Sequence, residues 1–338
     1  MDKFKFDFHL FDMNTNTTTA ATEGTNDLSP EMKTFYDKVL IRAAEPELVH
    51  DQFGQKRPIP ANNGKIIEFR KFSSLPKMDK APLTEGVTPD GQSINVTKVT
   101  GEIKQYGGYV TTSDLLELSA FDQVTAETLK LLGSQAGRTS DTITRDVLCA
   151  GTSVLYEGGA ANRGALTADS TLRIADIKKA VRYLKRNNAP KIGDSYVAIV
   201  HPDTAYDLMN DSEWMEAQKY TTSEKMFNGE IGKMYGVRFV ESTEAKVWSK
   251  ADAKVGSTTV SVPVYATIVL GADAYGVTSI NGGGIETITK QLGSGGTADP
   301  LNQRATIGWK MNKCATILDD TKMVRIEHTC TNADDKSN

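Results

Sequence analysis

The sequence predicts an α+β protein in which an α/β block lies between two strand-rich segments. Three patterns indicate this class. Residues 57–110 and 305–327 contain alternating apolar and polar positions, residues 113–150 repeat apolar positions at helical spacing, and the chain after Asp169 alternates amphipathic helices with apolar strands. The hydrophobic content of 39% is sufficient for a packed core, so disorder of the whole chain is not expected.

Residues 1–26 form a tail with two parts. Phe4, Phe6 and Phe8 alternate with charged residues, and a Thr- and Asn-rich stretch follows. This composition cannot offset its own ordering entropy. We therefore expect a partner surface to order the tail, with the phenylalanines on an added strand. A short helix is predicted next, with Ser29 as its N-cap and Pro30 at its first position.

Residues 57–110 predict a long hairpin. One strand is "KIIEFRKF", and the other runs from "INVTKV" through "EIKQYGGYV". The stretch between them is rich in proline and contains a Pro-Asp-Gly turn. An isolated two-stranded arm is only marginally stable, so we expect this one to lie on a neighbouring subunit.

Residues 113–150 predict one long helix, capped by Ser113 or Thr112. Gly133 and Gly137 interrupt its apolar pattern, which indicates close packing or a bend at these positions. Asp141 and Arg145 are spaced as a favourable i,i+4 ion pair.

The α/β block contains a helix in "STLRIADIKKAVRYLKRNNAP", a buried strand in "SYVAIV" and a helix that begins at Pro202. Near the C-terminus, alternating residues from Thr306 to Thr316 are followed by a turn at Asp319-Asp320 and a second alternating run. This pattern predicts a β-hairpin. We expect its strands to pair with the root of the long hairpin arm and to lie on the long helix.

Charge and cysteine content exclude several classes of protein. The net charge of −4 gives the chain as a whole no attraction for phosphate, although a protein that encloses nucleic acid can carry this charge. Cys149, Cys314 and Cys330 form no CxxC pair, which argues against a disulfide framework or zinc knuckle and fits a reducing cytoplasm. No signal peptide or membrane-spanning run is expected.

Motifs for catalysis or cofactor binding are not found in the sequence. His9, His50, His201 and His328 are not spaced as metal ligands, and we interpret them as structural. There is no Walker A, GxGxxG or GxSxG motif. We predict no catalytic, cofactor-binding or metal site. The basic face of residues 178–186 could meet an acidic neighbour, nucleic acid or solvent.

Several long strings resemble the major capsid proteins of tailed bacteriophages, in the podophage-type branch. They are "LSPEMKTFYDKVLIRAAEPELVHDQFGQKRPIP", "TEGVTPDGQSINVTKVTGEIKQYGGYVTTSDLLE", "FNGEIGKMYGVRFVES" and "DPLNQRATIGWKMNKCATIL". The resemblance implies the tailed-phage capsid fold. Its parts would be an N-terminal arm at 1–56, an extended loop at 57–110, a peripheral domain with a spine helix at 111–168, an axial domain at 169–288, and return strands with a C-terminal tail at 289–338.

The resemblance also implies a function. Many copies would form hexamers and pentamers of an icosahedral shell that encloses double-stranded DNA without sequence-specific binding. The protein would be part of the virion after assembly in the host cytoplasm, with no membrane contact. Scaffolding, portal and decoration proteins are candidate partners. The expected inter-subunit contacts are Phe4, Phe6, Phe8, Lys77, Lys80 and Pro82, and the expected bend of the spine helix lies at Gly133 and Gly137.

Some relatives differ from this sequence in ways that affect the expectations. Residues 1–28 lack the heptads of a cleaved scaffolding segment, so a separate scaffold or none is expected. Lys77 and Lys80 are placed where some relatives form a covalent crosslink. Two alternatives stay open: an encapsulin-like compartment that holds cargo protein instead of a genome, and a soluble α/β enzyme with an unrecognised site.

Overall fold

The structure is a computed structural model, and its described residues are 30–44, 47–59, 65–72, 75, 77, 82, 85–88, 91–119, 124–219, 232–254, 260–279, 284–295 and 299–338. The chain divides into two compact units. The smaller unit comprises residues 1–44, 107–136 and 285–311, and the larger unit comprises residues 45–106, 137–284 and 312–338.

Helices and strands follow the mixed order that the sequence predicts. The α-helices are α1 (Pro30–Ala44), α2 (Asp114–Ser119), α3 (Val124–Cys149), α4 (Ile174–Arg186), α5 (Pro202–Met209) and α6 (Ser212–Lys219). The strands of the first half are β1 (Gln55–Arg57), β2 (Ile66–Phe72), β3 (Val96–Glu102), β4 (Lys104–Ser113), β5 (Val154–Tyr156), β6 (Tyr196–Val200) and β7 (Lys233–Met234). Those of the second half are β8 (Val237–Glu241), β9 (Val247–Trp248), β10 (Val264–Leu270), β11 (Tyr275–Thr278), β12 (Ile285–Lys290), β13 (Arg304–Lys313), β14 (Ala315–Ile317) and β15 (Met323–His328).

The smaller unit contains a three-stranded sheet in the order β12-β13-β4. Helix α1 is tied to it because the backbone N–H of Thr287 donates to Asp37 at 2.8 Å. Trp309 on β13 donates its indole N–H to Gln135 of α3 at 3.1 Å. Strand β13 pairs with β4, so the expected pairing of the C-terminal strands with the root of the hairpin arm is confirmed for the first strand only.

The larger unit is built on a seven-stranded mixed sheet in the order β5-β15-β10-β6-β8-β7, with β9 added to β10. Strand β6 shows why a strand in the middle of this sheet is apolar at every position. Ala198 and Val200 pack into one core cluster with α4, whereas Val197 and Ile199 pack into a second cluster with the end of α3. Since strand side chains alternate between faces, a strand with helices on both sides is buried at every position.

The C-terminal hairpin prediction is wrong. Strand β13 lies in the sheet with β12 and β4, β14 pairs with β11, and β15 pairs with β10 and β5 in the large sheet. All residues of β15 are buried, so this segment is a central strand whose charged side chains are paired inside. The turn at Asp319-Asp320 thus connects two sheets instead of two paired strands.

Another boundary differs from the predictions. The predicted second strand of the hairpin arm is two strands, because β3 pairs with β2 whereas β4 joins β13. The helix predicted over 113–150 is helical where the structure describes it, as α2 and α3, and residues 120–123 between them lie outside the described residues. Ser113 caps α2 as expected, with its hydroxyl oxygen accepting from the Leu116 N–H at 3.3 Å.

Candidate assembly surfaces

The root of the β2–β3 hairpin is anchored in the larger unit. Ile67 and Phe69 on β2 are buried in a cluster with Cys314 and Leu318. Gly276 on β11 lies flat under the Phe69 ring, and a Cβ at this glycine would overlap the ring. The sequence therefore fixes one face of the hairpin root through two apolar side chains and one glycine.

The opposite face of the hairpin is exposed, and it carries three apolar side chains beside the ion-paired Glu68 and Lys98. Phe72 pairs directly with Val96 across the two strands, and their side chains are 67% and 47% exposed. Ile66, on the same face because it lies an even number of residues from Phe72, is 59% exposed. Burying an aromatic or aliphatic side chain of this size stabilises a protein by about 1.5–3 kcal/mol. These three residues form what we call the hairpin face.

The described residues beyond the paired strands continue this exposure. Leu75, Val87 and Ile94 are 54%, 63% and 68% exposed. Of the predicted contact residues, Lys77 and Pro82 lie in this region and are exposed. Lys80, Phe4, Phe6 and Phe8 lie outside the described residues.

The smaller unit has an exposed apolar set of its own. Tyr109 on β4 and Leu131 on α3 are 75% and 72% exposed, and Leu115 on α2 and Leu301 are 69% and 75% exposed. The sequence did not indicate these residues as exposed. Tyr109, Leu115 and Leu131 lie on a strand or a helix, where an apolar residue is equally typical of the core, and Leu301 lies in a turn.

Gly133 and Gly137 have different surroundings in α3. A Cβ at Gly133 would lie 2.7 Å from the Leu40 carbonyl oxygen and from the Ala43 Cβ. Gly133 therefore allows α1 to approach α3 closely, as one of the two predicted explanations requires. Gly137 is buried, and the border between the two compact units crosses α3 immediately before it.

A buried polar cluster fastens residues 47–57 to the second half of α3. Asp141 accepts from the backbone N–H of His50 at 2.6 Å, and its second carboxylate oxygen lies 2.6 Å from His50 Nδ1. Both side chains are fully buried. The predicted Asp141–Arg145 pair is wrong, because Arg145 instead donates to Asp146 at 2.9 Å and to the Glu244 carbonyl oxygen at 2.7 Å.

Asp51 forms the other half of this cluster. Its carboxylate accepts from the Ser140 hydroxyl at 3.0 Å, from the Thr144 hydroxyl and from the Lys313 ammonium. Burial raises the pKa of Tyr275 well above its ordinary value, and the Asp51 charge adds to this. The Tyr275 hydroxyl donates to the His50 carbonyl oxygen. With no solvent access, the cluster is suited to clamping elements together and not to turning over a substrate.

The comparisons with known proteins agree on one fold. Residues 129–292 match the model of a family described as phage capsid protein. The capsid protein of Ralstonia phage GP4 matches with a TM-score of 0.65 and 14% identity, over 96% of this chain and 99% of that chain. The cyanophage Pam1 capsid matches with a TM-score of 0.62 and 14% identity, over 98% and 100%.

The chain has the capsid fold of tailed phages. A third structure, the head of Helicobacter pylori bacteriophage KHP40, matches with a TM-score of 0.62 and 12% identity, over 97% of this chain and 99% of that chain. No curated protein matches the sequence. The resemblance found in the sequence is thus confirmed for the capsid fold, whereas the podophage-type branch and the domain boundaries stay predictions.

His328 and His201 form hydrogen bonds with nearby residues of the fold. His328 is fully buried between Thr267, 2.9 Å from its Nε2, and the Thr329 carbonyl oxygen, 2.9 Å from its Nδ1. Burial lowers the pKa of His328 to about 4, so its ring is neutral at pH 7. His201 caps α5 by accepting from the Asp203 N–H at 3.3 Å. His9 lies outside the described residues.

A charged network also crosses the capsid fold's large sheet. Glu327 on β15 is fully buried and accepts from Arg163 at 2.6 and 2.7 Å and from Arg325 at 2.9 Å. The Arg163 guanidinium lies 4.1 Å from the centre of the Trp248 ring. This network explains how β15 can be a central strand while it carries charged residues.

Among the described residues, no group of three or more His, Cys, Asp or Glu side chains could hold a metal ion. None of the helices in the described part of the chain is both long and apolar enough to cross a bilayer.

Proposed function

We propose that this chain is the major capsid protein of a tailed bacteriophage, with many copies forming an icosahedral head around double-stranded DNA. The single observation that carries the proposal is the uncovered hairpin face, seen in a chain with the phage capsid fold. Hexamers and pentamers would tile the shell, and the mature shell would be part of the virion after assembly in the host cytoplasm. The role requires no catalytic residue.

The hairpin supports assembly because a single subunit leaves its apolar side chains in contact with solvent. Two strands alone are marginally stable, and the three apolar side chains of the hairpin face are more than 40% exposed. A neighbouring copy that covers them would provide the missing burial. Since each subunit would both cover a neighbour and be covered, weak contacts would add up around a closed shell.

Further contacts are proposed at the positions that the sequence indicated. Phe4, Phe6 and Phe8 would dock on another copy as an added strand. Lys77, Lys80 and Pro82 would line the outer part of the hairpin where it meets that copy. Scaffolding, portal and decoration proteins would be the partners during assembly.

Substitution of the hairpin face tests the proposal. We expect the Phe72→Ser/Val96→Ser variant to remain a folded subunit and to form no shells in sedimentation velocity, because both side chains are already exposed in one copy. The control is Tyr206→Ser on α5, where the side chain is 53% exposed. It should assemble as the wild type does. Normal shells from the hairpin variant, with circular dichroism showing intact subunits in both cases, would refute the proposed role of this face.

A further inference from the structure

The charged residues on the solvent-facing side of α4 are all basic. Its apolar side is buried in the large core cluster through Ile177, Val181 and Leu184. The helical spacing places every basic residue on the other side. These residues are Lys178, Lys179, Arg182, Lys185 and Arg186.

Two of these cations are neutralised within the subunit. Lys178 lies 2.5 Å from Glu213, and Lys179 lies 2.8 Å from Asp176. The other three are exposed, and within the part of the chain that the structure describes no carboxylate forms an ion pair with them. We call Arg182, Lys185 and Arg186 the basic stripe.

The basic stripe is unfavourable for an isolated subunit. Arg182 and Arg186 are like charges at i,i+4, and Arg182 and Lys185 are like charges at i,i+3, and both spacings destabilise a helix. Interaction with the helix dipole accounts for Lys185 and Arg186 in the last turn. It does not account for Arg182, one turn earlier. Like charges that destabilise their own helix are typical of functional positions, and we infer that an anionic partner neutralises these.

We propose that the basic stripe contacts the phosphate backbone of duplex DNA inside the head. This inference rests on the proposed function, which places a concentrated polyanion next to the shell. Guanidinium groups match phosphate oxygens in geometry and charge. Arg182 and Arg186 are about 6 Å apart along the helix axis, so one stretch of backbone can meet both. Phosphate contacts carry no sequence information, as packaging of a whole genome requires.

A second copy of the chain is the competing partner, and the described surface fits it less well. The chain has 43 acidic and 39 basic residues, so its surface carries charges of both signs. A partner surface that neutralises the basic stripe would have to be acidic without interspersed basic residues. Asp334 and Asp335 of the C-terminal tail are already paired, at 3.0 Å with Lys336 and at 3.9 Å with Lys250. DNA is uniformly anionic and needs no such match.

The experiment measures binding of unassembled subunits to a 30-base-pair duplex of random sequence by fluorescence anisotropy at several salt concentrations. The test variant is Arg182→Glu/Lys185→Glu/Arg186→Glu. The matched control is Lys250→Glu/Lys254→Glu/Lys336→Glu, which changes the net charge equally at another exposed surface. Each lost phosphate contact lowers the slope of log K against log salt by about 0.9. We expect the test variant to lose about 2–3 from this slope and at least tenfold in affinity at low salt, and the control to stay within about twofold of the wild type.

Particle formation, read by electron microscopy on the same samples, separates this inference from the proposed function. Shells from the test variant with weakened duplex binding support both. If the wild type itself forms no shells and the test variant binds the duplex more weakly, the DNA contact is supported and the capsid role is refuted. Equal losses in test and control variants, no duplex binding by the wild type at low salt, or normal duplex binding with failed assembly overturns the inference. The last result would assign the basic stripe to a second copy.

Discussion

Lys313 shows how a single buried charge fastens the larger unit. Its ammonium group is fully buried against Asp51, so removing it leaves a carboxylate in the interior with only two hydroxyl partners. Breaking a buried pair in this way costs about 3–5 kcal/mol. We therefore expect Lys313→Ala to lower the free energy of unfolding in urea by that amount.

The control for this prediction is Lys336→Ala. Lys336 pairs with Asp334 at the surface, with side chains 82% and 67% exposed, and such pairs contribute only about 0–1 kcal/mol. Equal unfolding midpoints for the two variants would show that the Asp51 cluster does not hold the unit together.

His328 predicts a pH dependence of stability. Burial lowers its pKa in the folded state to about 4, below the ordinary value of 6.5. The unfolded chain therefore binds the extra proton first, and the contribution is full above pH 6.5 and is lost as the pH falls toward 4. The two pKa values correspond to roughly 3 kcal/mol in total, of which about 2 kcal/mol is lost by pH 5.

Replacement of the His328 imidazole tests whether this residue makes the protein less stable as the pH falls. We expect His328→Gln to be less stable than the wild type at pH 7.5 and to lose less stability between pH 7.5 and pH 5, measured by urea unfolding at both values. A parallel loss in the two proteins would mean that the buried imidazole does not titrate as its surroundings require.

At the level of residues, the sequence indicated roles more reliably than partners. It offered close packing as one of two explanations for Gly133, because a glycine inside a helical pattern leaves room for a neighbouring backbone. It paired Asp141 with Arg145, because i,i+4 spacing is visible in one dimension. The true partner of Asp141 is His50, 91 positions away, and no local rule connects them.

Among the elements, the hairpin root depends on the fit of Phe69 over Gly276. A Cβ at position 276 would overlap the ring, so we expect Gly276→Ala to loosen the root and to increase the rate of proteolysis within residues 72–96. Gly91→Ala is the control, because a Cβ there meets open space. Unchanged protection in the Gly276 variant would argue that other contacts anchor the hairpin.

Helix α3 carries the proposed bend at Gly137, where the border between the compact units crosses it. Alanine is about 1 kcal/mol better than glycine in a helix, so Gly137→Ala favours the straight form. We expect shells to assemble but to expand more slowly, followed by time-resolved small-angle scattering. The exposed neighbour offers a control in Arg138→Ala. Wild-type expansion by the glycine variant would remove Gly137 from the mechanism.

Element type was predictable where the period was strong, as in α4 and β6. The assignment of strands to sheets was not, and β15 illustrates the reason. Its alternating pattern suited a hairpin with β13, but its buried Glu327 is neutralised by Arg163, 164 positions away. Only the three-dimensional network turns a charged segment into a central strand.

For the whole molecule, four long strings in the right order indicated the capsid fold, and the structural matches confirm it. Composition alone could not have done so, because 39% hydrophobic residues and a net charge of −4 are ordinary values. The hairpin face adds what composition does not contain: apolar side chains that stay exposed beside the other described residues of the subunit.

Electron microscopy of the purified wild-type protein over a range of concentrations shows whether identical copies cover the hairpin face. We expect closed icosahedral particles in which the hairpin face of each subunit is covered by a neighbouring copy. A monomer at every concentration, with Phe72 and Val96 packed against its own chain, would contradict this expectation.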